Sequence, residues 1–182
     1  CKLAMDVSMF EQRACSSPHT VFVEEGGPVT PMTFAQALAR GMQKALDRIP
    51  KTWTSPAEAY SIVKLRSEYL FTGEVFSSPG TEWTVVYSTD KGLAGPVYSR
   101  VVFVKPVPNI GQIMDVIGPS IQTIGMQTEA GRKLRLAAAI SARGGMRITE
   151  IGKMNIYDYP WDGIFPMSRF VRWVSLVSPM AL

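Results

Sequence analysis

The chain has 182 residues, of which 46% are hydrophobic and 19% are charged, and these proportions are ordinary for one soluble globular domain with a sizeable core. No uninterrupted apolar run approaches the roughly 20 residues that a membrane-spanning helix needs, which excludes a membrane span. The net charge of +4 arises from 19 Lys and Arg scattered among 15 carboxylates, without zinc-finger spacing or an RNA-binding aromatic motif, so no nucleic-acid partner is expected.

Cysteine content and the start of the sequence bear on cellular context. The two cysteines, Cys1 and Cys15, are too few for a disulfide framework, and no basic segment followed by an apolar one opens the chain. A cytoplasmic location is therefore expected, because a reducing compartment suits free thiols. Because the sequence starts at Cys1, directly inside an apolar periodic segment, we expect the chain to be part of a longer polypeptide.

The first predicted helix and strand flank Cys15. Apolar residues at helical spacing predict a helix over residues 3–14, which the sequence Ser-Ser-Pro at 16–18 ends. A short buried strand is predicted at 20–23. Cys15 is therefore expected in a loop junction, where a side chain is displayed rather than buried in the middle of an element.

Two well-signalled helices follow. Thr30 can cap the first of them, with Pro31 in its first turn, and Pro50 ends it. Ser55 and Glu58 predict a capping box for the next helix, in which each side chain bonds to the other residue's backbone amide. This helix is expected to end at Gly73 and to bury one apolar face, made of Ala59, Ile62, Val63 and Leu70.

Strands and helices alternate through the second half. Strands are predicted at 83–88, 100–104, 121–126 and 146–151, with Pro106 closing the second and loops filling the rest of 73–95. Asn109 is expected to cap a short helix, and Thr128 a longer one that ends at Gly144. This order predicts an α/β fold, a three-layer sandwich with a largely parallel sheet. One domain is expected over 1–182, with a C-terminal tail from about residue 164.

Cys15 is the strongest candidate for chemistry, because a cysteine thiolate is an effective nucleophile. The alternative is a small buried hydrophobic residue, which is the common role of a free cysteine. His19 is the only histidine. Its closeness to Cys15, across Pro18, argues against a Cys–His catalytic pair, so we interpret it as loop structure.

Other kinds of site have little support. One His and two Cys cannot supply the usual zinc ligands, so no metal site is predicted. Glu24 and Glu25 point to opposite faces of a strand and cannot act as a carboxylate pair. Neither a P-loop nor a dinucleotide-binding glycine motif occurs. The densest basic cluster consists of Arg132, Lys133 and Arg135. It is expected to be a solvated helix face, or alternatively a contact for an anionic cofactor.

Two groups of motifs stand at opposite ends of the sequence. The first is Phe-Glu-Gln-Arg-Ala-Cys-Ser-Ser-Pro at 10–18, followed by Val-Phe-Val-Glu at 21–24. The second is Tyr-Pro-Trp-Asp-Gly at 159–163, followed by Arg-Phe-Val-Arg-Trp-Val-Ser at 169–175. In this order the motifs resemble the acyl-CoA reductase family, which includes the fatty-acid reductase subunit of bacterial bioluminescence (LuxC). That family looks like a distant variant of the aldehyde dehydrogenases.

The resemblance implies an aldehyde-dehydrogenase-like catalytic domain that works as an NAD(P)H-dependent reductase of acyl-CoA or acyl-protein thioesters. Cys15 would form an acyl-cysteine that is reduced to an aldehyde, with the Cys15 backbone N–H as an oxyanion donor. NADPH or NADH would be bound mainly by an N-terminal nucleotide-binding domain that is absent from this chain, so the fragment alone would be inactive. Trp161 is expected to be a packing anchor, and Asp162 with Gly163 to form a turn.

Two other functions remain open. One is an NAD(P)-dependent aldehyde dehydrogenase working in the oxidising direction, which needs a base to activate water for deacylation. The other is a non-catalytic module for oligomerisation or partner binding, because residues 169–182 combine aromatic residues, Met and Arg as interfaces do. A homo-oligomer or an acyl-transfer partner is compatible with either enzymatic function.

Overall fold

The computed structural model describes residues 2–161 and 163–177. Over these residues the α-helices are α1 (Lys2–Ser8), α2 (Pro31–Arg48), α3 (Pro56–Tyr69) and α4 (Ala130–Ser141). The strands are β1 (Thr20–Glu24), β2 (Glu74–Ser77), β3 (Thr84–Tyr87), β4 (Val101–Val107), β5 (Thr123–Met126) and β6 (Arg147–Glu150). Short 3-10 helices lie at Met9–Gln12, Ile110–Val116 and Pro166–Arg169.

The strands form two sheets. The larger one has the order β1-β4-β3-β2, in which β1, β4 and β3 are parallel and β2 is an antiparallel edge. The smaller one is the parallel pair β5-β6. The expectation of a mixed α/β fold with mostly parallel strands is confirmed, but the strands are divided between two sheets.

Helices cover both faces of the larger sheet. One buried cluster joins the sheet to α1 and α2, and a second joins it to α3. The clusters take alternate residues of β3 and β4: Val85, Val102 and Val104 in the first, and Val86, Val101 and Phe103 in the second. Successive side chains of a strand point to opposite faces. The two helices α2 and α3 therefore sandwich the sheet, as the layered arrangement requires.

The predicted caps of α2 and α3 are confirmed, whereas the predicted face of α3 is wrong in part. The Thr30 hydroxyl accepts from the Thr33 amide, and Ser55 and Glu58 form the capping box. On α3, Ile62 is buried but Val63 and Leu70 are exposed. The residues that meet the sheet are spaced i, i+3 and i+7, and of these the prediction included only the first: Ile62, Leu65 and Tyr69.

Two strands differ from their predictions. β2 was expected to be loop, and it is a short edge strand paired with β3. β4 does not close at Pro106 but continues to Val107. The Phe103 amide bonds to β1, so by alternation position 106 faces the β3 side. β3 ends opposite Val104, so Pro106 lies beyond the paired residues of β3.

Helix starts in the second half follow the predictions at one of two positions. The Asn109 side chain accepts from the Gly111 amide and caps the 3-10 helix that follows, as predicted. Thr128 is not the cap of α4, because that helix starts one residue later than expected, with Glu129 at the cap position and no side-chain bond. The strands predicted around β1, β3, β5 and β6 are all present.

Candidate functional site

Cys15 is exposed, and it lies in the loop between the first 3-10 helix and β1. The loop borders a cavity of about 1060 Å³, which Cys15 lines together with Ser17 and His19. The opposite walls come from β5, α4 and the 3-10 helix at Ile110–Val116, and most of their lining side chains are apolar. Cys15 therefore presents its thiol to a space large enough for a small-molecule ligand.

The predicted helix over 3–14 ends early, and this change of direction places Cys15. α1 stops at Ser8, and Phe10, Glu11 and Gln12 have φ angles of 55°, 51° and 60°. The buried Gln12 amide donates to the Pro18 carbonyl (2.8 Å) and to the Val101 carbonyl (2.9 Å). Left-handed conformations are unfavourable for these residue types, so tertiary contacts hold them.

A buried arginine supplies the second anchor of the Cys15 loop. The Arg100 side chain is fully buried, pairs with the Glu11 carboxylate and donates to the Ile49 carbonyl (2.8 Å). The Ser99 amide donates to the Glu11 carbonyl (3.0 Å). Tyr98, Ser99 and Arg100 also have positive φ angles of 63°, 53° and 64°. The two segments with positive φ angles, residues 10–12 and 98–100, are thus bonded to each other next to Cys15.

Two backbone amides next to the thiol have no hydrogen-bond acceptor among the residues that the structure describes. Among residues 2–161 and 163–177, the amides of Cys15 and Ser16 donate to no backbone carbonyl, whereas that of Ser17 donates to Ala14 (3.0 Å). A free amide beside a nucleophile can donate to an oxygen that becomes negative during attack. The Cys15 N–H, which the sequence suggested as an oxyanion donor, is available for that role.

His19 shares the cavity wall with Cys15 but has the surroundings of a packed residue. Its ring meets the Tyr98 ring edge to face, with 5.5 Å between centroids. Burial lowers the pKa of His19, because the charged imidazolium is disfavoured away from water. The ring is therefore neutral at neutral pH, and it supplies no cationic partner for a thiolate.

An ion pair closes the far end of the cavity. The Glu24 carboxylate, at the end of β1, pairs with Arg132 in the first turn of α4 and accepts from the Ile110 amide (2.9 Å). These bonds, first of all the one from Arg132, lower the pKa of Glu24 to about 2. Arg132 thus pairs with a carboxylate while its side chain remains 35% exposed, which is compatible with the expected solvated helix face.

The rear of the Cys15 loop is tied to the chain that follows β6. The buried Asp6 carboxylate of α1 accepts from the amides of Gly152 and Met154. The Ser16 hydroxyl bonds to the Asn155 side chain (2.8 Å), which in turn donates to the Asp6 carbonyl (3.0 Å). Burial raises the pKa of Asp6, although the two amides oppose that rise.

The C-terminal motif contains one packed aromatic residue. Trp161 stacks against Tyr157 with 4.7 Å between ring centroids, and the Arg147 guanidinium lies 4.8 Å above its ring. These contacts are those of a packing anchor. Gly163 has a φ angle of 71°, which suits a turn, while Asp162 lies outside the described residues.

A metal site and a membrane-spanning helix are both missing from the described part of the chain. In it, no three His, Cys, Asp or Glu residues come together as metal ligands would. None of its helices combines the length and the apolar composition needed to cross a membrane.

Sequence reasoning identified Cys15 but missed the residues that hold it. Gln12 lies inside the quoted motif, so its spacing from Cys15 could have drawn attention. Arg100 and Asn155 gave no local signal, because their partners lie 89 and 139 residues away along the chain. Only the folded chain brings these groups together.

A family model described as Acyl-CoA reductase (LuxC) matches residues 1–173, which is nearly the whole chain. A comparison with curated proteins gives no match. The matched range includes Cys15 and the first five of the seven residues of the motif at 169–175.

Proposed function

The chain belongs to the acyl-CoA reductase (LuxC) family, and from that premise we propose that Cys15 takes the acyl group from an acyl thioester. The observation that carries this proposal is the position of Cys15, exposed on a large and mostly apolar cavity. The amides of Cys15 and Ser16 beside it donate to no backbone carbonyl of the described residues. Acyl-CoA and acyl-protein thioesters are the two substrates that this chemistry allows.

The acylation step is a thioester exchange. The Cys15 thiolate attacks the carbonyl carbon, the carbonyl oxygen becomes an oxyanion, and the Cys15 N–H donates a hydrogen bond to it. The carbon–sulfur bond to the leaving thiol then breaks, which gives an acyl-cysteine and the free thiolate. Because one thioester replaces another, the exchange is close to thermoneutral.

Reduction of the acyl-cysteine to an aldehyde takes two electrons and a proton, which a bound NADPH or NADH supplies. The chain has no glycine-rich strand–turn–helix segment of the kind that holds a dinucleotide pyrophosphate. The cofactor therefore does not fit a site made by these residues alone. We assign its binding to a nucleotide-binding domain ahead of α1.

The test uses the protein extended at its N-terminus by its own preceding residues. Long-chain acyl-CoA and NADPH are supplied, and aldehyde and free CoA are measured. The extended protein should release both, Cys15→Ala should release neither, and His19→Asn should keep most of the activity. Aldehyde formation by Cys15→Ala would contradict the proposal. Oxidation of aldehyde to acid with NAD(P)+, without reduction of acyl-CoA, would favour a dehydrogenase instead.

A second function has one specific observation in its favour. Phe170, Trp173, Leu176 and Val177 follow the last 3-10 helix, and their side chains are between 81% and 91% exposed. Such an apolar segment suits an interface, as a module for oligomerisation or partner binding would have. Sedimentation velocity of the chain, with and without residues 170–182, would show self-association that depends on this segment.

A further inference from the structure

In the part of the chain that the structure describes, two strands that border the cavity each have one edge without a partner strand. β1 is an outer strand of the larger sheet, and β5 pairs on one side only, with β6. Every residue of β1 and of β5 lines the cavity, and no residue of β6 does. The free edges of β1 and β5 therefore border the same gap.

The ladder between β1 and β4 shows which backbone groups of β1 point into this gap. The His19 carbonyl accepts from Phe103 (2.9 Å), and the Glu25 amide donates to Val107 (2.9 Å). Peptide groups alternate in direction along a strand, so the odd-numbered residues of β1 face β4. The remaining amides and carbonyls face the gap: those of Thr20, Phe22 and Glu24.

The same argument applies to β5. The Gln122 carbonyl accepts from the Arg147 amide (3.0 Å), so even-numbered residues face β6, and Thr123 and Gly125 face the gap. Within residues 2–161 and 163–177, none of these amides on β1 or β5 donates to a backbone carbonyl elsewhere. We call them the gap-facing amides: Thr20, Phe22, Glu24, Thr123 and Gly125. Rows of unpaired amides on two facing edges are a template for another strand.

The two edges run in the same direction. The Glu24–Arg132 ion pair holds the end of β1 next to the first turn of α4. That turn follows directly after β5, so the carboxyl ends of β1 and β5 lie on the same side of the gap. A strand between them can therefore run parallel to both.

α1 has the position of a crossover helix for such a strand. It packs in the same buried cluster as α2, and its Leu3 lines the gap. Its Asp6 accepts from the Met154 amide (3.3 Å), in the segment that follows β6. α1 thus spans from one sheet to the other before the chain enters β1. Parallel neighbours are joined through such helices, so the strand before α1 belongs beside β1, at its free edge.

We propose that a β-strand of the polypeptide ahead of α1 occupies this gap, parallel to β1 and β5. It joins the two sheets into one, with the order β6-β5-new strand-β1-β4-β3-β2. Because apolar residues line the gap, the strand carries apolar side chains on both faces. Its matching length is the four or five residues of β5 and β1. The strand takes the part of the cavity between β1 and β5, which leaves the part beside Cys15 and His19 for the acyl group of the proposed function. The proposal does not depend on acylation of Cys15.

Hydrogen exchange at single-residue resolution tests the proposal in the protein that carries its own residues ahead of Cys1. The gap-facing amides should exchange as slowly as those of Val21 and Val23, within about tenfold, because both sets are then bonded within a sheet. Val21 and Val23 face β4 and are the matched control. Fast exchange at the gap-facing amides beside slow exchange at Val21 and Val23 would overturn the proposal.

The source of the strand is tested by dilution and by truncation. Protection that does not change with protein concentration supports a strand from the same polypeptide. Protection that is lost on dilution indicates a strand from a second copy of the chain and overturns the proposal. In the chain of residues 1–182, the gap-facing amides should lose protection while Val21 and Val23 keep theirs. If that shorter chain does not fold, the comparison within the extended protein still decides. Loss of aldehyde formation with protection intact would reject the proposed function alone.

Discussion

At the scale of single residues, a buried pair of opposite charges fixes the loop that carries Cys15. The Arg100 side chain is 1% exposed and that of Glu11 is 30% exposed. A buried guanidinium without a carboxylate is costly, because both its charge and its hydrogen bonds lose their partner. Gln12 adds two bonds to backbone carbonyls on the same loop. The conformation of the loop therefore depends on side chains that do no chemistry.

Replacing Glu11 by Gln should lower the free energy of unfolding by about 2 to 3 kcal/mol, because Arg100 stays buried without a countercharge. Urea denaturation measures the change. Arg13→Gln is the matched control, since it breaks the exposed pair with Glu58 and should cost less than about 1 kcal/mol. Equal losses for the two variants would contradict the role given to Arg100.

Acid should weaken the pair that closes the cavity. The pKa of Glu24 is lowered from 4.5 to about 2, so its contribution to stability is fully present above pH 4.5. That contribution falls as the pH drops from 4.5 through about 2, because the unfolded chain takes up the proton first. The stability difference between the wild type and Glu24→Gln should therefore shrink over this range. A difference that stays constant with pH would show that Arg132 contributes nothing to the charged form.

The exposed position of Cys15 could be predicted from sequence, because the residue stands at a predicted loop junction. Its supports could not, since Arg100 looks like the first residue of an ordinary strand. Its burial is decided by Glu11 and Ile49, both distant in the chain. Local patterns contain no information on such pairings.

At the scale of elements, the sequence predicted the bounds of a helix correctly where caps and periodicity agree. It predicted them wrongly where tertiary contacts override these local signals. α2 and α3 start at their predicted caps, because Thr30 and Ser55 satisfy amides within the same segment. The helix over 3–14 was predicted too long, because Gln12 bonds outside its own helix. β2 was missed because it is short and lies at an edge, where burial gives little signal.

α1 should depend on its link to the segment after β6. Asp6→Ala leaves the amides of Gly152 and Met154 without their acceptor, and we expect a loss of about 2 kcal/mol in the free energy of unfolding. Asp6→Asn keeps one carbonyl acceptor and should lose less. Thermal melting of both variants measures the order. An alanine variant as stable as the wild type would show that this link is dispensable.

At the scale of the whole molecule, an exposed cysteine lies on a large cavity, and the sequence contains no glycine-rich dinucleotide motif. The family match over residues 1–173 fixes the general activity as acyl-CoA reduction. The strands form two sheets, with β1 and β5 at their edges, where sequence alone suggested one sheet. Sequence could not reveal this division, since periodicity predicts strands but not their neighbours.

Residues 1–182 alone should consume no NADPH in the presence of acyl-CoA, because no segment of the chain suits a dinucleotide pyrophosphate. Absorbance at the nicotinamide band measures consumption, and the N-terminally extended protein is the positive control. Steady consumption by the short chain would place the cofactor site within these residues.

The central claim is that Cys15 accepts the acyl group. Its most direct test is incubation of the N-terminally extended protein with isotope-labelled acyl-CoA, without NADPH, followed by peptide mapping with mass spectrometry. Label should appear on Cys15 with release of one CoA per acyl group, and Cys1→Ser should label as the wild type does. Label on another residue, or labelling unchanged in Cys15→Ala, would contradict the claim.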